Sequence, residues 1–406
     1  MNAAILTIGD ELLQGFTVDT NSSWLGQILL PYDIHIRKKI SVGDDVEAIK
    51  IQVQNLIDSK LDYIFVTGGL GPTHDDTTKE AFRQLFDDEY YLDEDYYQLL
   101  KSRFEKRIKK MPENNKSQAM VLKQADSIPN ENGSALGLHY HKNESHIFIM
   151  PGVPGEMKGM VNNHIIPGFL KKTPQAKQVT IKTAGVMESK LAEQVQDLIE
   201  EYKSTFKFAF LPHYTGVSFR INLLDTTANL KQVSEKFTKA MAPFAYGLNE
   251  DKLEEVLGQA LRKKNLTIAT AESCTGGLIG KRLSDVGGSS KYYAGTVTAY
   301  SNEVKQSVLG VLPETLDKFG AVSSEVALEM AKGIREKTQA DIGLATTGIS
   351  GPTGGTKTKP VGLVYIALIT PQNSKVKQYN LNFGRKIHRE MTATAALNIT
   401  RLSLNE

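Results

Sequence analysis

The stretch LTIATAESCTGGLIGKRL, residues 266–283, carries the pattern that decides the fold. An apolar run at 266–271 reads as a strand, a polar glycine-rich turn follows, and 276–283 has a helical pattern. Strand, tight turn and helix in that order begin a βα unit, which belongs in a mainly parallel sheet covered by helices. Such a turn exposes side chains at the sheet edge and can aim backbone N–H groups at an anion. Around it, 253–263 reads as an amphipathic helix, 293–300, 342–347, 362–369 and 376–383 as strands, 326–337 as a helix and 389–402 as a closing helix.

The opposite end of the chain repeats the rhythm. Residues 3–8, 34–40 and 63–67 read as strands, with helices at 21–30 and 46–57 between them. This βαβαβ order predicts a second parallel sheet, with ligands at the carboxyl ends of its strands. An acidic run at 87–95 and a basic one at 101–110 read as a solvated helical excursion. Residues 147–150 return as a strand and 156–170 as its helix, and 171–178 lack periodicity and read as a linker. Between the two α/β parts, a strand at 179–184, a helix at 190–202, strands at 207–211 and 217–224 and a helix at 230–241 give βαββα. That order is similar to a KH domain, but it has no GxxG loop of the kind that clamps a nucleic-acid backbone, so a structural or dimerising spacer is expected. The sequence thus predicts an α/β fold in three domains, 1–172, 178–248 and 251–406.

Composition narrows the function classes. Of 406 residues, 40% are hydrophobic and 23% charged, a globular balance. Lys plus Arg total 48 against 46 Asp plus Glu, so no broad field exists to hold a polyanion, and no direct nucleic-acid partner is expected. The lone Cys274 excludes an internal disulfide and suits a reducing compartment. The first residues read as a strand rather than a signal peptide, and no apolar run approaches the roughly 20 residues that span a bilayer. A cytoplasmic protein without a membrane partner is expected.

Three segments near the C-terminus carry chemistry. In AESCTGG (271–277) both Ser273 and Cys274 are potential nucleophiles. Free cysteine is usually an inert small hydrophobe unless a cation lowers its pKa, so Cys274 reads as structural. Ser273 needs a base, and Lys305 in YSNEVK (300–305) reads either as a solvent-facing helix lysine or as an amine depressed by burial. Tyr300 closes the preceding strand and can reach the same rim. TTGISGPTGG (346–355) offers glycines and hydroxyls for close approach to ribose or phosphate. Arg385 and Arg389, four apart, can share one helix face and clamp a phosphate, or simply be exposed. His388 is the only histidine of this part and lies in none of these motifs.

Taken together and in order, AESCTGG, YSNEVK, TTGISGPTGG and the final arginines resemble the CinA C-terminal family, which includes nicotinamide-nucleotide amidohydrolases. The resemblance implies deamidation of nicotinamide mononucleotide with Ser273 as nucleophile and Lys305 as base. It further implies that Tyr300 relays or orients the proton, Thr347 and turn N–H groups hold the oxyanion, and Arg385 and Arg389 take the phosphate or order the site. Thr275, Gly276, Gly277, Gly348 and Gly351 are expected at the substrate, and no metal is required.

In the first part, TIGDELL (7–13), TGGLGPTHDD (67–76) and MPGVPGEM (150–157) close three strands at one sheet edge. They supply Gly68, Gly69, Gly71 and Thr73 for phosphate approach. Asp75 and Asp76, with Asp10 and Glu156 behind them, are candidate Mg²⁺ ligands, although an aspartate pair at a first helical turn is also an ordinary N-cap. His74 reads as a positioned loop residue. GDELLQG with DTN (19–21), TGGLGPTHDD and MPGVPGEM resemble the N-terminal, molybdopterin-binding-like domain of CinA. The resemblance then runs nearly end to end. It implies hydrolysis of ADP-ribose with a divalent metal at this site, and a homodimer. The competing readings are molybdopterin binding or adenylyl transfer here, or a nucleotide sensor without catalysis tied to competence or DNA damage.

Overall fold

The computed structural model describes the chain apart from residues 74–75, 109–110, 172–176, 226 and 405–406 and the side chains at 107–108. The chain forms two compact units, Met1–Lys177 and Gln178–Glu406.

The described residues of the first unit form eight strands: β1 (Asn2–Ile8), β2 (His35–Val42), β3 (Tyr63–Thr67), β4 (Tyr90–Leu92), β5 (Met120–Leu122), β6 (Asp126–Ile128), β7 (Gly137–Lys142) and β8 (Ser145–Met150). Six of them form one sheet in the order β2-β1-β3-β8-β7-β6. The first four are parallel, as the βαβ rhythm predicts, while β7 and β6 add an antiparallel edge. Central strands are buried on both faces, and Ala3 to Ile8 are all enclosed. Ala4, Leu6, Ile64 and Val66 pack under the helices Val46–Asp58 and Thr78–Leu85. Ala3, Ile5, Phe65 and Phe148 pack under Thr20–Ile28 and Pro154–Met160 on the other face. Asp19 and Asp45 start two of these helices by accepting the Ser22 and Ala48 N–H groups at 2.9 and 2.8 Å. The excursion contains the expected helix, Glu94–Ile108, and a small β4–β5 ribbon that the charge pattern did not suggest.

The second unit begins with β9 (Gln178–Thr183), β10 (Phe206–His213), β11 (Gly216–Leu223) and β12 (Ala245–Leu248), an antiparallel sheet ordered β10-β11-β9-β12. The helices Glu188–Tyr202 and Leu230–Ala240 cover it with Leu191, Val195, Val233 and Phe237. The expected βαββα order is therefore present and continues into a fourth strand, β12. Next come β13 (Ile268–Glu272), β14 (Tyr293–Thr298), β15 (Ile342–Gly348), β16 (Leu363–Ile369) and β17 (Ser374–Asn380), ordered β14-β13-β15-β16-β17. β13, β14 and β15 are parallel, and β16 and β17 turn antiparallel. Small residues, Ala269, Ala271, Ala345 and Ala367, let the helix Ser324–Thr338 lie close on one face. Ile268, Leu344 and Ile366 meet the helices Leu253–Lys264 and Arg385–Ser403 on the other. No helix among the described residues is long and apolar enough to cross a membrane.

One buried charge in the first unit makes a testable pH signature. Lys79 is nine-tenths buried, and its Nζ donates to the Ser117 and Met120 carbonyls at 3.1 and 3.0 Å. Burial lowers its pKa from the ordinary 10.5 to about 8, with the Asp76 charge opposing. Between those values the unfolded chain binds more protons than the folded unit, so stability rises with pH across that window, by about 3 kcal/mol, and is flat below it. Urea denaturation followed by the single tryptophan, Trp24, should show this slope in the wild type and lose it in Lys79→Met.

Candidate functional site

In the second unit the chain passes from β13 to β14 on one side and returns to β15 on the other. That reversal falls at the carboxyl ends of β13 and β15, the kind of position where open α/β sheets bind ligands. Ser273 is the first residue past β13, and its N–H donates to the Thr346 carbonyl of β15 at 2.9 Å. Thr275 Oγ1 meets Thr346 Oγ1 at 2.8 Å. Gly276 and Gly277 then take φ of +60 and +90, which excludes them from the helix Leu278–Ser284 and sharpens the turn.

On the other side, Glu272 pairs with Thr298 of β14, so Ser273 and Ala299 are the first residues beyond the two adjacent strand ends. β14 ends two residues earlier than expected. This frees Ser301 to accept the Val304 N–H at 3.3 Å and start the helix Asn302–Ser307. Lys305 folds back from that helix and is 2% exposed. Its Nζ donates to the carbonyls of Ala299, Tyr300 and Ser301 at 2.9, 3.2 and 3.5 Å. Burial holds its pKa below the ordinary lysine value, with Cys274 and Glu303 opposing. The solvent-facing alternative for Lys305 is thereby removed. The amine is nevertheless turned to carbonyls, and the Ser273 hydroxyl makes no hydrogen bond among the described residues. Cys274 is buried in the core beneath them, and burial pushes its thiol up to about 12, which makes it inert.

The first turn of the last helix, Arg385–Ser403, gathers the remaining loops. Arg389 donates twice to the Thr275 carbonyl, at 3.1 Å through Nε and 2.7 Å through its terminal nitrogen. Arg385 donates to the Gly351 carbonyl at 3.2 Å and to the Tyr300 hydroxyl at 3.0 Å. Between them His388 is 1% exposed, and its Nδ1 lies 2.9 Å from the hydroxyl of the buried Ser350. A groove of about 580 Å³ beside Leu266, Ile342 and Lys375 lies at the opposite ends of these strands, away from the loops described here.

The first unit builds a similar edge. β1 leads to β2 on one side and, through β2, to β3 on the other, so the reversal falls between β1 and β3. Gly68 has a φ of +118, and an added Cβ would sit 2.0 Å from the Ile8 carbonyl oxygen. At Gly69, φ +64, it would meet Thr78 Oγ1 at 2.2 Å. Asn21 ties the loops together, donating to Thr67 Oγ1 at 3.1 Å and to the Gly152 carbonyl at 2.8 Å. Asp76 closes the glycine loop by accepting the Gly71 and Thr73 N–H groups at 2.6 and 2.8 Å and the Thr73 hydroxyl. Asp10 and Asp44 exchange backbone N–H bonds at 3.0 and 3.3 Å, and Glu156 accepts from Asn130 at 2.6 Å.

Comparison with known proteins agrees with both halves. The sequence profile described as "CinA C-terminal domain" matches residues 250–404, and that described as "Probable molybdopterin binding domain" matches residues 4–171. A CinA-like protein of Chloroherpeton thalassium is 38% identical over 419 residues, covering 100% of each chain. The chain belongs to the CinA family. A CinA-like protein of Cytophaga hutchinsonii is 37% identical over 414 residues, 100% of this chain and 98% of the relative. Among solved structures, the competence/damage inducible protein CihA of Agrobacterium tumefaciens is 38% identical, covering 38% of this chain and 98% of its own, with a TM-score of 0.36.

Within this CinA-family chain, then, Ser273, Lys305, Thr275, Gly276, Gly277, Arg385 and Arg389 gather at one sheet edge. Three expectations meet competing contacts. The Tyr300 ring is exposed and bonds Arg385 through its hydroxyl, while Lys305 meets only the Tyr300 carbonyl. The Thr347 hydroxyl donates to the Ala321 carbonyl at 2.7 Å, leaving no hydroxyl proton for an oxyanion in this arrangement. Gly348 packs its Cα against β16, where a Cβ would lie 2.7 Å from the Leu363 carbonyl oxygen, whereas Gly351 contributes a carbonyl to Arg385. In the first unit, the N–H groups of Gly71 and Thr73 are committed to Asp76. Among the described residues no three His, Cys, Asp or Glu side chains cluster; Asp76 accepts from loop donors, Asp10 from the Asp44 N–H and Glu156 from Asn130. Asp75 and His74 lie outside the described residues.

Sequence reasoning missed Ser350, His388 and Glu272. Ser350 and His388 sit in recognisable segments but pair across 38 positions, which no local pattern signals. Glu272 had a signal, a carboxylate at the entry of a helix. It is fully buried and accepts the Ile279 and Gly280 N–H groups at 3.1 and 2.7 Å and the Thr270 and Thr296 hydroxyls. These N–H groups are therefore taken by protein, a correction to the expectation that the helix start would meet an anion. Glu272→Ala leaves two buried donors unpaired and should lower unfolding stability by about 2–4 kcal/mol, measured by chemical denaturation of the second unit's circular-dichroism signal.

Proposed function

We propose that the second unit is an amidohydrolase that converts nicotinamide mononucleotide to nicotinate mononucleotide and ammonia. The observation that carries this reading is the enclosed Lys305 amine at the carboxyl end of β14, the strand paired in parallel with β13, which ends at the residue before Ser273. An amine whose proton is loosened by burial is the base that a serine needs where no imidazole faces it. The cationic pyridinium draws electrons from the carboxamide and prepares its carbon for attack. In the proposed sequence Lys305 first loses a proton to solvent, then exchanges a carbonyl partner for the Ser273 hydroxyl and takes its proton as Oγ bonds the carboxamide carbon. The tetrahedral adduct collapses, breaking the C–N bond, and the same proton leaves with ammonia. Water, deprotonated by the freed amine, then cleaves the acyl ester and restores Ser273. Thr347 assists the oxyanion only by giving up Ala321, so turn N–H groups are the first donors in this reading. Arg385 and Arg389 hold the loops in register and present cationic edges toward a nucleotide phosphate.

For the first unit we propose a nucleotide diphosphate as ligand, with hydrolysis of ADP-ribose as the activity. Support comes from the convergence of the Gly68, Gly152 and Asn21 segments at the β1/β3 reversal. In this reading Asp10, Asp76 or Glu156 would hold a divalent metal, which takes one or two carboxylates plus waters and would polarise the diphosphate.

Ammonia release from nicotinamide mononucleotide tests the main proposal. Ser273→Ala and Lys305→Ala should each lose about 10³-fold or more in turnover, whereas Cys274→Ala should stay within about threefold of wild type. Turnover retained in Ser273→Ala removes that residue as nucleophile. A folded wild type that releases no ammonia removes the substrate.

A further inference from the structure

Nothing in the amidohydrolase reading needs Ser350 or His388, yet they form a buried polar pair where an apolar contact would pack at lower cost. Ser350 is 5% and His388 1% exposed. Ser350 Oγ lies 2.9 Å from His388 Nδ1 and 3.5 Å from the Cys274 carbonyl, while the buried Nε2 lacks a well-formed hydrogen bond and the nearby Gly362 backbone favours the charged ring. With the proton on Nδ1, His388 donates to Ser350 and Ser350 donates to the Cys274 carbonyl. The chain of bonds then runs from the last helix through the glycine-rich loop to the turn carrying Ser273. Arg385 bonds the neighbouring Gly351 carbonyl, and Arg389 bonds the Thr275 carbonyl on the far side of Cys274.

We propose that Ser350 and His388 are a positioning pair that locks the 349–355 loop and the Ser273 turn onto the last helix only while the imidazole is uncharged, so that the site loosens in acid. Arg385 and Arg389 stand on the same turn, at the positive end of the helix, and the Cys274 thiol across from it is neutral. No carboxylate acts on His388 among the described residues, and burial with Arg385 outweighs the Gly362 backbone contact, which favours the charged ring, and holds the pKa below the ordinary imidazole value. An opened loop therefore binds a proton that the locked one refuses. Locking is full above the free imidazole pKa of about 6.5 and weakens as pH falls below it.

The functional consequence rests on the amidohydrolase reading, and the experiment keeps the two apart. Hydrogen exchange of the Ile349 and Gly362 amides, which donate to Leu363 and Ile349 carbonyls, reads the lock without any substrate. After correction for intrinsic rates, wild-type protection should fall by about threefold or more from about pH 7.5 to about pH 5.5 and change less than about twofold in His388→Gln, which stays neutral. Equal protection at both pH values in the wild type, or the same fall in His388→Gln, overturns the proposal. In the ammonia assay, Ser350→Ala should raise KM for nicotinamide mononucleotide about fivefold at about pH 7.5 with kcat nearly unchanged, and its KM should converge on wild type in acid. A constant KM ratio across pH marks a merely structural role and also overturns it. If wild type releases no ammonia while the exchange result holds, the substrate reading fails and the lock stands.

Discussion

The second unit is organised around an amine with no water. Enclosing an ammonium costs several kcal/mol, and the fold answers by aiming three successive carbonyls, Ala299 to Ser301, at Lys305 Nζ. Each charge-assisted bond returns about 1.5–3 kcal/mol, so the penalty and its compensation are of the same order. That near balance is the useful property. A lysine held far more tightly by a carboxylate would keep its proton, and one held by nothing would be expelled to solvent. Carbonyls are weak enough partners to be exchanged for a hydroxyl arriving from the adjacent strand end.

Everything else at this edge fixes where that hydroxyl stands. Ser273 is held through its backbone by β15 and flanked by Thr275 and Cys274, whose side chains are buried. The first turn of the last helix then reaches both loops, with Arg389 on the turn and Arg385 on the glycine-rich loop. Two guanidinium groups spent partly on carbonyls explain how glycine-rich segments keep one geometry. The glycines permit close approach and cannot by themselves select it.

The central strands were legible in the sequence because burial on both faces leaves nearly unbroken apolar runs, as in β1, β3 and β15. The edges were not. β6 is three residues long, β7 carries two histidines and a lysine in six, and β12 is only partly buried, so each lacks the apolar signature while pairing well through its backbone. The site divides in the same manner. Ser273 and Lys305 lie in segments whose turn and cap chemistry is local, and their neighbourhood was readable. The partners of Thr347, Arg385 and Ser350 lie 26 to 85 positions away, and only folding reveals them.

The two α/β sheets use one device at different loads. In each, a strand is flanked by the next two parallel strands of its unit, and the reversal falls at the carboxyl ends. In the first unit the loops beside the reversal close on themselves, with Asp76 occupied by loop donors and Asn21 fastening two strand ends. In the second they close on a helix that arrives from the end of the chain. A ligand at the first site must therefore compete with contacts inside a loop, whereas one at the second can act on contacts between separate elements. Shifts in Arg385, His388 or Arg389 alter three segments together, which makes that helix turn the place where ionisation has most leverage on the geometry of Ser273.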